Sequence, residues 1–184
     1  IRGGEAVVFS ALNVPETLPV YHWYNLKLER FQGNREEAAK KFRDLLTDAV
    51  RLRLRSDVPI GSCLSGGLDS SSIVCLVNDI LREHGDESVQ KTFSAFSREM
   101  RVDESQYIKE VVSCRNIESL SVYPEMEDLF KDLDKIIWHQ DEPFDSTSIF
   151  AQWKVFKLAS QHHVKVMLDG QGADEILGGY HYFF

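Results

Sequence analysis

Short apolar runs alternate with amphipathic helical patterns along most of this chain. The apolar runs occupy residues 59–64, 90–96, 117–122 and 164–168. The helical patterns occupy residues 69–84, 103–114, 125–139 and 146–162. This repeated strand–helix order predicts an α/β fold, with a mostly parallel sheet and helices on both of its faces. Ligands bind such sheets at the carboxyl ends of the strands, which makes the loops at 65–71 and 169–174 the candidate sites.

The first thirty residues follow a different pattern. Alternating β-forming residues over 20–28 predict an extended segment, and we expect residues 1–30 to be the end of one unit and a linker. Residues 31–184 are then a second domain, which opens with an amphipathic helix capped by Asn34. The apolar face of that helix is predicted to contain Ala38, Phe42, Leu45, Leu46, Ala49 and Leu52.

The composition is that of a soluble globular protein, with 43% apolar residues and a formal net charge of -8. There is no basic field for nucleic acid or for an anionic membrane surface, so neither is expected as a partner. No apolar window is long enough to cross a bilayer. The three cysteines fit no disulfide or zinc framework, which favours a reducing compartment and a cytoplasmic location. Because the chain begins at Ile1 and ends on an apolar stretch, we expect it to be part of a longer protein, truncated at its C-terminus.

The first candidate loop, SGGLDSS at 65–71, follows one predicted strand and precedes a helix. Its two glycines permit a tight turn, its serines supply donors, and the helix N-terminus favours an anion, which together suit phosphate. Asp69 would repel a bare phosphate, so it makes chemical sense as a ligand of an accompanying Mg²⁺ ion. The simpler alternative is a glycine-rich turn in which Asp69 or Ser70 caps the helix.

The second candidate loop, DGQGADE at 169–175, has the same strand–loop–helix setting. Its glycines allow a close backbone approach, and Asp174 and Glu175 place carboxylates at the carboxyl edge of the sheet. A turn with a helix-capping aspartate is the alternative interpretation of this loop alone.

The sequence also predicts the environment of a polar loop, two cysteines and four aromatic residues. The polar stretch around Asp141 is either a solvated loop or the border of a substrate pocket. Cys63 and Cys75 lie in apolar runs and are expected to be unreactive. Four aromatic residues have helical spacings typical of core packing: Trp138, Phe150, Trp153 and Phe156.

The loop SGGLDSS resembles the pyrophosphate-binding loop of the N-type ATP pyrophosphatases, which cleave ATP between its α and β phosphates. Together with the second loop it resembles the glutamine-hydrolysing asparagine synthetase family, from about residue 20 to the end of the chain. The segments PVYHWYNL, TFSAF, DES at 103–105 and HQDEPFDSTSIFAQW support the resemblance. It implies the adenine nucleotide α-hydrolase-like fold of that superfamily.

The resemblance also implies roles for individual residues. The pyrophosphate and its metal would be held by Ser65, Gly66, Gly67, Asp69, Ser70 and Ser71. Asp174 would be the second Mg²⁺ ligand. The adenosine would lie against Cys63, Leu64, Ala95, Asp169 and Gly170.

One position departs from the family pattern, because Gln171 stands where the best-known members have glutamate. An amide cannot act as a general base. If the family glutamate takes protons from the attacking ammonia, another group such as Glu175 or Asp141 must supply that function here, or the acceptor chemistry differs.

The activity implied by the resemblance is ATP-dependent, AMP- and pyrophosphate-forming amide synthesis through an acyl-adenylate. The family acceptor is aspartate, and its ammonia comes from glutamine through an N-terminal glutaminase domain, whose end would be residues 1–30. A homodimer is also compatible with the resemblance. Two alternatives stay open, namely the same adenylation of a sugar acid, a peptide carboxylate or a ring-closing substrate as in β-lactam synthetases, and a non-catalytic nucleotide-binding regulator.

Overall fold

The computed structural model describes residues 1–85, 89–96, 105–113 and 115–183, so the predictions for Asp103, Glu104 and Cys114 lie outside the described residues. The chain divides into two units, Ile1–Phe42 and Arg43–Phe184. No helix among the described residues has both the length and the apolar character that a membrane crossing requires.

The first unit contains a short antiparallel hairpin. Strand β1 (Glu5–Val7) pairs with strand β2 (Val20–His22), with Ala6 opposite Tyr21. Strand β2 covers only the first three residues of the extended segment predicted over 20–28, because β1 has three residues and the pairing ends with it. Beyond β2 the Gly4 carbonyl accepts hydrogen bonds from the N–H groups of both Trp23 and Tyr24, at 3.0 and 3.3 Å.

Helix α1 (Arg35–Arg53) begins where the sequence predicts it. The Asn34 Oδ1 atom accepts a hydrogen bond from the Glu37 N–H, and Glu37 Oε2 accepts one from the Asn34 N–H, both at 2.9 Å. This reciprocal capping box satisfies two backbone donors. The predicted buried face is largely wrong, since Phe42, Leu45 and Leu52 are exposed. The last turns of α1 belong to the second unit and include the buried Val50.

The second unit continues with an alternating series of strands and helices. In chain order these are β3 (Ile60–Cys63), α2 (Leu68–Glu83), β4 (Gln90–Ala95), α3 (Ser105–Ser113), β5 (Ile117–Val122), α4 (Met126–Gln140), α5 (Thr147–Gln161), β6 (Val166–Leu168) and α6 (Ala173–Leu177). A 3₁₀ turn, His181–Phe183, follows. The strands form one parallel sheet in the order β5-β4-β3-β6. The predicted parallel α/β class is therefore confirmed.

Strand β6 starts two residues later than the sequence suggests. The Val164 N–H donates to the Ala159 carbonyl at 3.0 Å, and His163 has a positive φ of 60°. Val164 therefore still belongs to the turn that ends α5.

Helices cover both faces of the sheet, as predicted. On one face Phe93 of β4 packs with Val155 and Ala159 of α5. On the other face Leu64 packs with Val74 of α2 and Ile108 of α3. Since successive strand residues point to opposite faces, neighbouring residues such as Cys63 and Leu64 contribute to different cores.

The aromatic predictions are correct only in part. Phe150 is buried, but Trp138 is 73% exposed and Phe156 is 42% exposed. On α4 the buried positions are Asp132 and Ile136. Trp138 lies two residues beyond Ile136, about 200° around the helix, and therefore points away from the buried side.

A charged contact joins α4 to α5. The Lys157 ammonium donates to both oxygens of the Asp132 carboxylate at 3.0 and 3.4 Å, and the Trp153 indole N–H donates to Oδ2 at 3.2 Å. One turn away, Lys154 donates to Asp128 at 2.7 Å. The hydrogen bond from Lys157 is the main cause that lowers the pKa of Asp132 below its ordinary value.

We expect Asp132→Asn to reduce stability near neutral pH and to have a smaller effect in acid. A carboxyl whose pKa is lowered on folding stabilises the folded state above its unfolded pKa, and that stabilisation disappears as the pH falls through the folded pKa. Urea denaturation at pH 7 and below pH 4 measures the difference. The matched control is Asp134→Asn on the exposed side of the same helix. An equal loss at both pH values would contradict an electrostatic role for Asp132.

Candidate functional site

The first candidate loop leaves the N-terminus of a helix open. Gly66 has a φ of 94°, in the left-handed region that favours glycine, and the chain turns there into α2. Gly67 is the N-cap, and no side chain caps the helix. The first N–H groups of a helix have no partner within it, so this end of α2 is available to bind an anion.

Two serines hold this loop in shape. The Ser70 Oγ atom accepts a hydrogen bond from the Ser65 N–H at 3.2 Å and lies 3.0 Å from Ser65 Oγ. Ser65 Oγ in turn accepts from the Gly67 N–H at 3.2 Å. Ser70 is buried, so its hydroxyl mainly fixes the loop conformation.

The second candidate loop lies directly against the first. Strands β3 and β6 are neighbours in the sheet, so the loops that follow them leave from the same edge. A Cβ atom at Gly170 would lie 2.9 Å from the Ser70 nitrogen and 3.1 Å from the Asp69 Cβ. Only a glycine lets the two backbones come this close without displacement.

One cavity of about 190 Å³ opens between these loops. Its lining has four carboxylates and no Lys, Arg or His side chain among the residues that the structure describes. The lining consists of Cys63, Ser65, Gly67, Asp69, Ser70, Asp169, Gly170, Gln171, Gly172, Asp174, Glu175 and Tyr180. An anion would enter this cavity only with a cation to offset the carboxylates.

A second and larger cavity of about 620 Å³ adjoins the first. Its walls are partly apolar, with Phe93 and Ala95 from β4 and Ile149 and Val155 from α5. Leu64 of the adenosine prediction also lines this cavity. The two cavities share Cys63, Ser65 and Gln171, so these three residues mark the junction between them.

Two predicted ligand-binding residues do not reach these cavities. Gly66 and Ser71 are absent from both linings, and Gly66 forms the turn that leads into α2. Asp141 ends α4 with a φ of 59° and also lies outside both linings. Glu175, the other candidate base, does line the smaller cavity.

Tyr180 was not predicted from the sequence as a site residue. Its hydroxyl donates to Glu175 Oε1 at 2.9 Å, and this hydrogen bond is the main cause that raises the pKa of Tyr180 to about 12. The Gly-Gly-Tyr that follows the second loop was the available signal, since Gly179 lets the chain fold back over Asp174.

Gln152 was also not predicted from the sequence as a site residue. Its Nε2 atom donates to Asp169 Oδ2 at 3.4 Å, across from the end of β6. Burial, followed by the charge of Asp169 and a hydrogen bond to it, raises the pKa of the Cys63 thiol. The raised pKa opposes formation of a reactive thiolate at Cys63, consistent with the expectation from sequence.

The carboxylates of the smaller cavity suit a Mg²⁺ ion that keeps some of its waters better than a metal ion held entirely by protein ligands. Among the described residues no group of three or more His, Cys, Asp or Glu side chains could hold a metal ion. Mg²⁺ usually takes one or two carboxylates and completes its shell with substrate phosphates and water. Asp69 and Asp174, on opposite loops of one cavity, meet that requirement.

Comparison with known proteins identifies the family. Residues 41–184 match the family described as Asparagine synthase. The chain belongs to this family. It is 39% identical over 160 residues to a putative glutamine-hydrolyzing asparagine synthetase 2 of Methanocaldococcus jannaschii. The aligned region covers 87% of this chain and 30% of that relative. It is also 34% identical over 161 residues to the glutamine-hydrolyzing asparagine synthetase 1 of Bacillus subtilis. That alignment covers 88% of this chain and 24% of the relative.

Other similarities are weaker. The amidase chyE of Penicillium rubens is 29% identical over 169 residues, covering 87% of this chain and 25% of that protein. The chain thus spans about a quarter to a third of the length of these relatives. Among solved structures, an NH3-dependent NAD synthetase from Campylobacter jejuni has a TM-score of 0.46 at 17% identity, covering 81% of this chain and 62% of that one.

We expect Gly170→Ala to destabilise the protein by about 1–3 kcal/mol, because the new methyl group would press on the backbone of α2. Thermal and urea unfolding measure the effect. Gly3→Ala is the matched control, since a Cβ there would have no atom within 4 Å. Unchanged stability of Gly170→Ala would show that the two loops are further apart than described.

Proposed function

We propose that this protein is an ATP-dependent synthetase that forms an amide through an acyl-adenylate, releasing pyrophosphate and AMP. The observation that carries the proposal is the smaller cavity, in which an uncapped helix N-terminus faces carboxylates from a second loop. Membership of the asparagine synthase family supports it.

The triphosphate is proposed to occupy the smaller cavity. The first N–H groups of α2 bind the departing pyrophosphate, within the loop that Ser65 and Ser70 hold in shape. Asp69 and Asp174 hold Mg²⁺, which neutralises phosphate charge when it is bound. Without that ion the carboxylates would repel the nucleotide, so ATP and Mg²⁺ are required together.

The adenosine is proposed to occupy the larger cavity. Leu64 and Ala95 line it beside apolar side chains from α5, which suits the faces of a purine ring. Asp169 and Gly170 follow β6 directly and line the adjacent smaller cavity. This arrangement leaves the α-phosphate at the junction, near Gln171.

The chemistry comprises two displacements at that junction. A carboxylate oxygen of the acceptor attacks the α-phosphorus, and the bond to the β-phosphate oxygen breaks to release pyrophosphate. Ammonia then attacks the acyl carbon, AMP leaves, and the nitrogen loses a proton. We assign Glu175 to receive that proton, because it lines the cavity whereas Asp141 does not.

The proposal extends to the whole protein. Aspartate is the proposed acceptor and glutamine the proposed ammonia source, as the names of the two asparagine synthetase relatives suggest. Residues 31–184 would then belong to the synthetase domain and residues 1–30 to the end of a glutaminase-type unit and its linker. We place this activity in the cytoplasm and consider a homodimer compatible with it.

We expect Asp69→Asn and Asp174→Asn each to lower acceptor-dependent AMP formation by the full-length protein by at least about 100-fold. Each removes a carboxylate from the proposed magnesium site, and such a loss corresponds to several kcal/mol of charge stabilisation. The assay follows AMP and pyrophosphate from ATP while Mg²⁺ is varied. Asp134→Asn, outside both cavities, is the control. AMP formation that persists in Asp69→Asn would overturn the assignment.

A second candidate function keeps the adenylation and changes the acceptor to another carboxylic acid. Gln171 favours it, because an amide stands at the junction between the two cavities, where the acceptor and the α-phosphate must meet. If Gln171 only replaces a family glutamate, Gln171→Glu should maintain or raise aspartate-dependent AMP release. No gain with aspartate, together with AMP release on a sugar acid or peptide carboxylate, would favour this second candidate.

A further inference from the structure

The chain turns back on itself directly after α6. Gly178 ends that helix with a φ of 69°, in the left-handed region that favours glycine, and the Gly179 N–H donates to the Asp174 carbonyl at 3.0 Å. A Cβ atom at Gly179 would overlap the Asp174 carboxylate, so the turn passes directly over this side chain. The next residue, Tyr180, consequently lines the smaller cavity together with Asp174 and Glu175.

Tyr180 contacts one of these two carboxylates directly. Its hydroxyl donates to Glu175 Oε1 at 2.9 Å. A hydrogen bond to an ionised acceptor is stronger than one between neutral groups. Glu175 is exposed and has three rotatable side-chain bonds, so without this contact its carboxylate would sample several rotamers. The tyrosine hydroxyl therefore restricts a side chain that its own helix leaves free to move.

The tyrosine ring is itself held in place by its neighbours. It stacks on the Tyr182 ring, with centroids 5.1 Å apart and planes 11° apart, and its centroid lies 5.7 Å from that of Phe183. The Phe183 N–H donates to the Tyr180 carbonyl at 3.1 Å, which closes the turn that carries these rings. The hydroxyl thus has a defined position from which it can orient Glu175.

The contact distinguishes the two oxygens of the Glu175 carboxylate. In the proposed amide-forming step the lone pair of ammonia bonds to the acyl carbon, and the bond from that carbon to the phosphate oxygen of AMP breaks. The nitrogen then gives up a proton, which requires a base within hydrogen-bond reach. Because the Tyr180 hydroxyl contacts Oε1, we assign Oε2 as the oxygen that receives this proton.

We propose that Tyr180 is a positioning residue for amide formation, which holds Glu175 so that its second oxygen faces the attacking nitrogen. This inference rests on the proposed function, because it takes Glu175 as the proton acceptor. It predicts that Tyr180 acts on the second displacement, in which the proton is lost, far more than on the first, in which pyrophosphate leaves.

The test separates these two steps in the full-length protein. With ATP, Mg²⁺ and aspartate but no ammonia, a rapid-quench single turnover measures the rate of pyrophosphate formation. Ammonium chloride added to the adenylate made in this way then measures the rate of amide formation. In Tyr180→Phe we expect the ratio of the amide-forming rate to the pyrophosphate-forming rate to fall about tenfold, because a hydrogen bond to a charged group is lost.

Two further variants isolate the positioning role. Tyr182→Phe is the matched control, because it makes the same change on the stacked ring, which is 76% exposed, and it should keep the wild-type ratio. Glu175→Gln should lower the ratio further than Tyr180→Phe does. Adding Tyr180→Phe to Glu175→Gln should then have little further effect, since a positioning residue acts only through the group that it orients.

Three results would overturn the inference and leave the proposed function intact. They are an unchanged ratio in Tyr180→Phe, an equal slowing of both steps, and a full tenfold further loss when Tyr180→Phe is added to Glu175→Gln. If wild type released no pyrophosphate from ATP with aspartate or any other carboxylic acid, the proposed function would fail and this inference with it.

Discussion

The close contact between Gly170 and the first turn of α2 is the constraint on which the candidate site depends. It exists because β3 and β6 are adjacent and parallel, so that two loops distant in sequence leave the same edge of the sheet. A side chain at position 170 would separate them. The contact keeps the N-terminus of α2 beside the second loop, which supplies three of the four carboxylates that line the smaller cavity.

Much of this arrangement could be predicted from local sequence. The strand–loop–helix settings of SGGLDSS and DGQGADE, the order of elements and the parallel sheet all follow from periodicity and turn chemistry, which are local properties. The rule that ligands bind at the carboxyl ends of parallel strands then brings the loops to one edge. Asp69 and Asp174 consequently line one cavity although 104 residues lie between them in the sequence.

The contributions of Gln152 and Tyr180 could not be predicted in this way. Gln152 faces Asp169 only because α5 crosses the sheet at a particular position and rotation, which long-range packing sets. The same dependence explains the errors over Trp138 and Phe42, where apolar residues at helical spacing do not reveal which arc of a helix meets a neighbour. The local sequence pattern predicts each helix or strand, whereas the packing between these elements determines which side chains line the site.

The electrostatic character of the site also depends both on local sequence and on the packing of elements against one another. The chain carries a net charge of -8, and the smaller cavity concentrates four carboxylates around an uncapped helix end. Backbone dipoles attract a polyanion there and the carboxylate side chains repel it, and we therefore propose that its binding depends on a divalent cation that offsets the repulsion. Among these four carboxylates Asp169 differs in that it accepts a hydrogen bond from the Gln152 amide on α5.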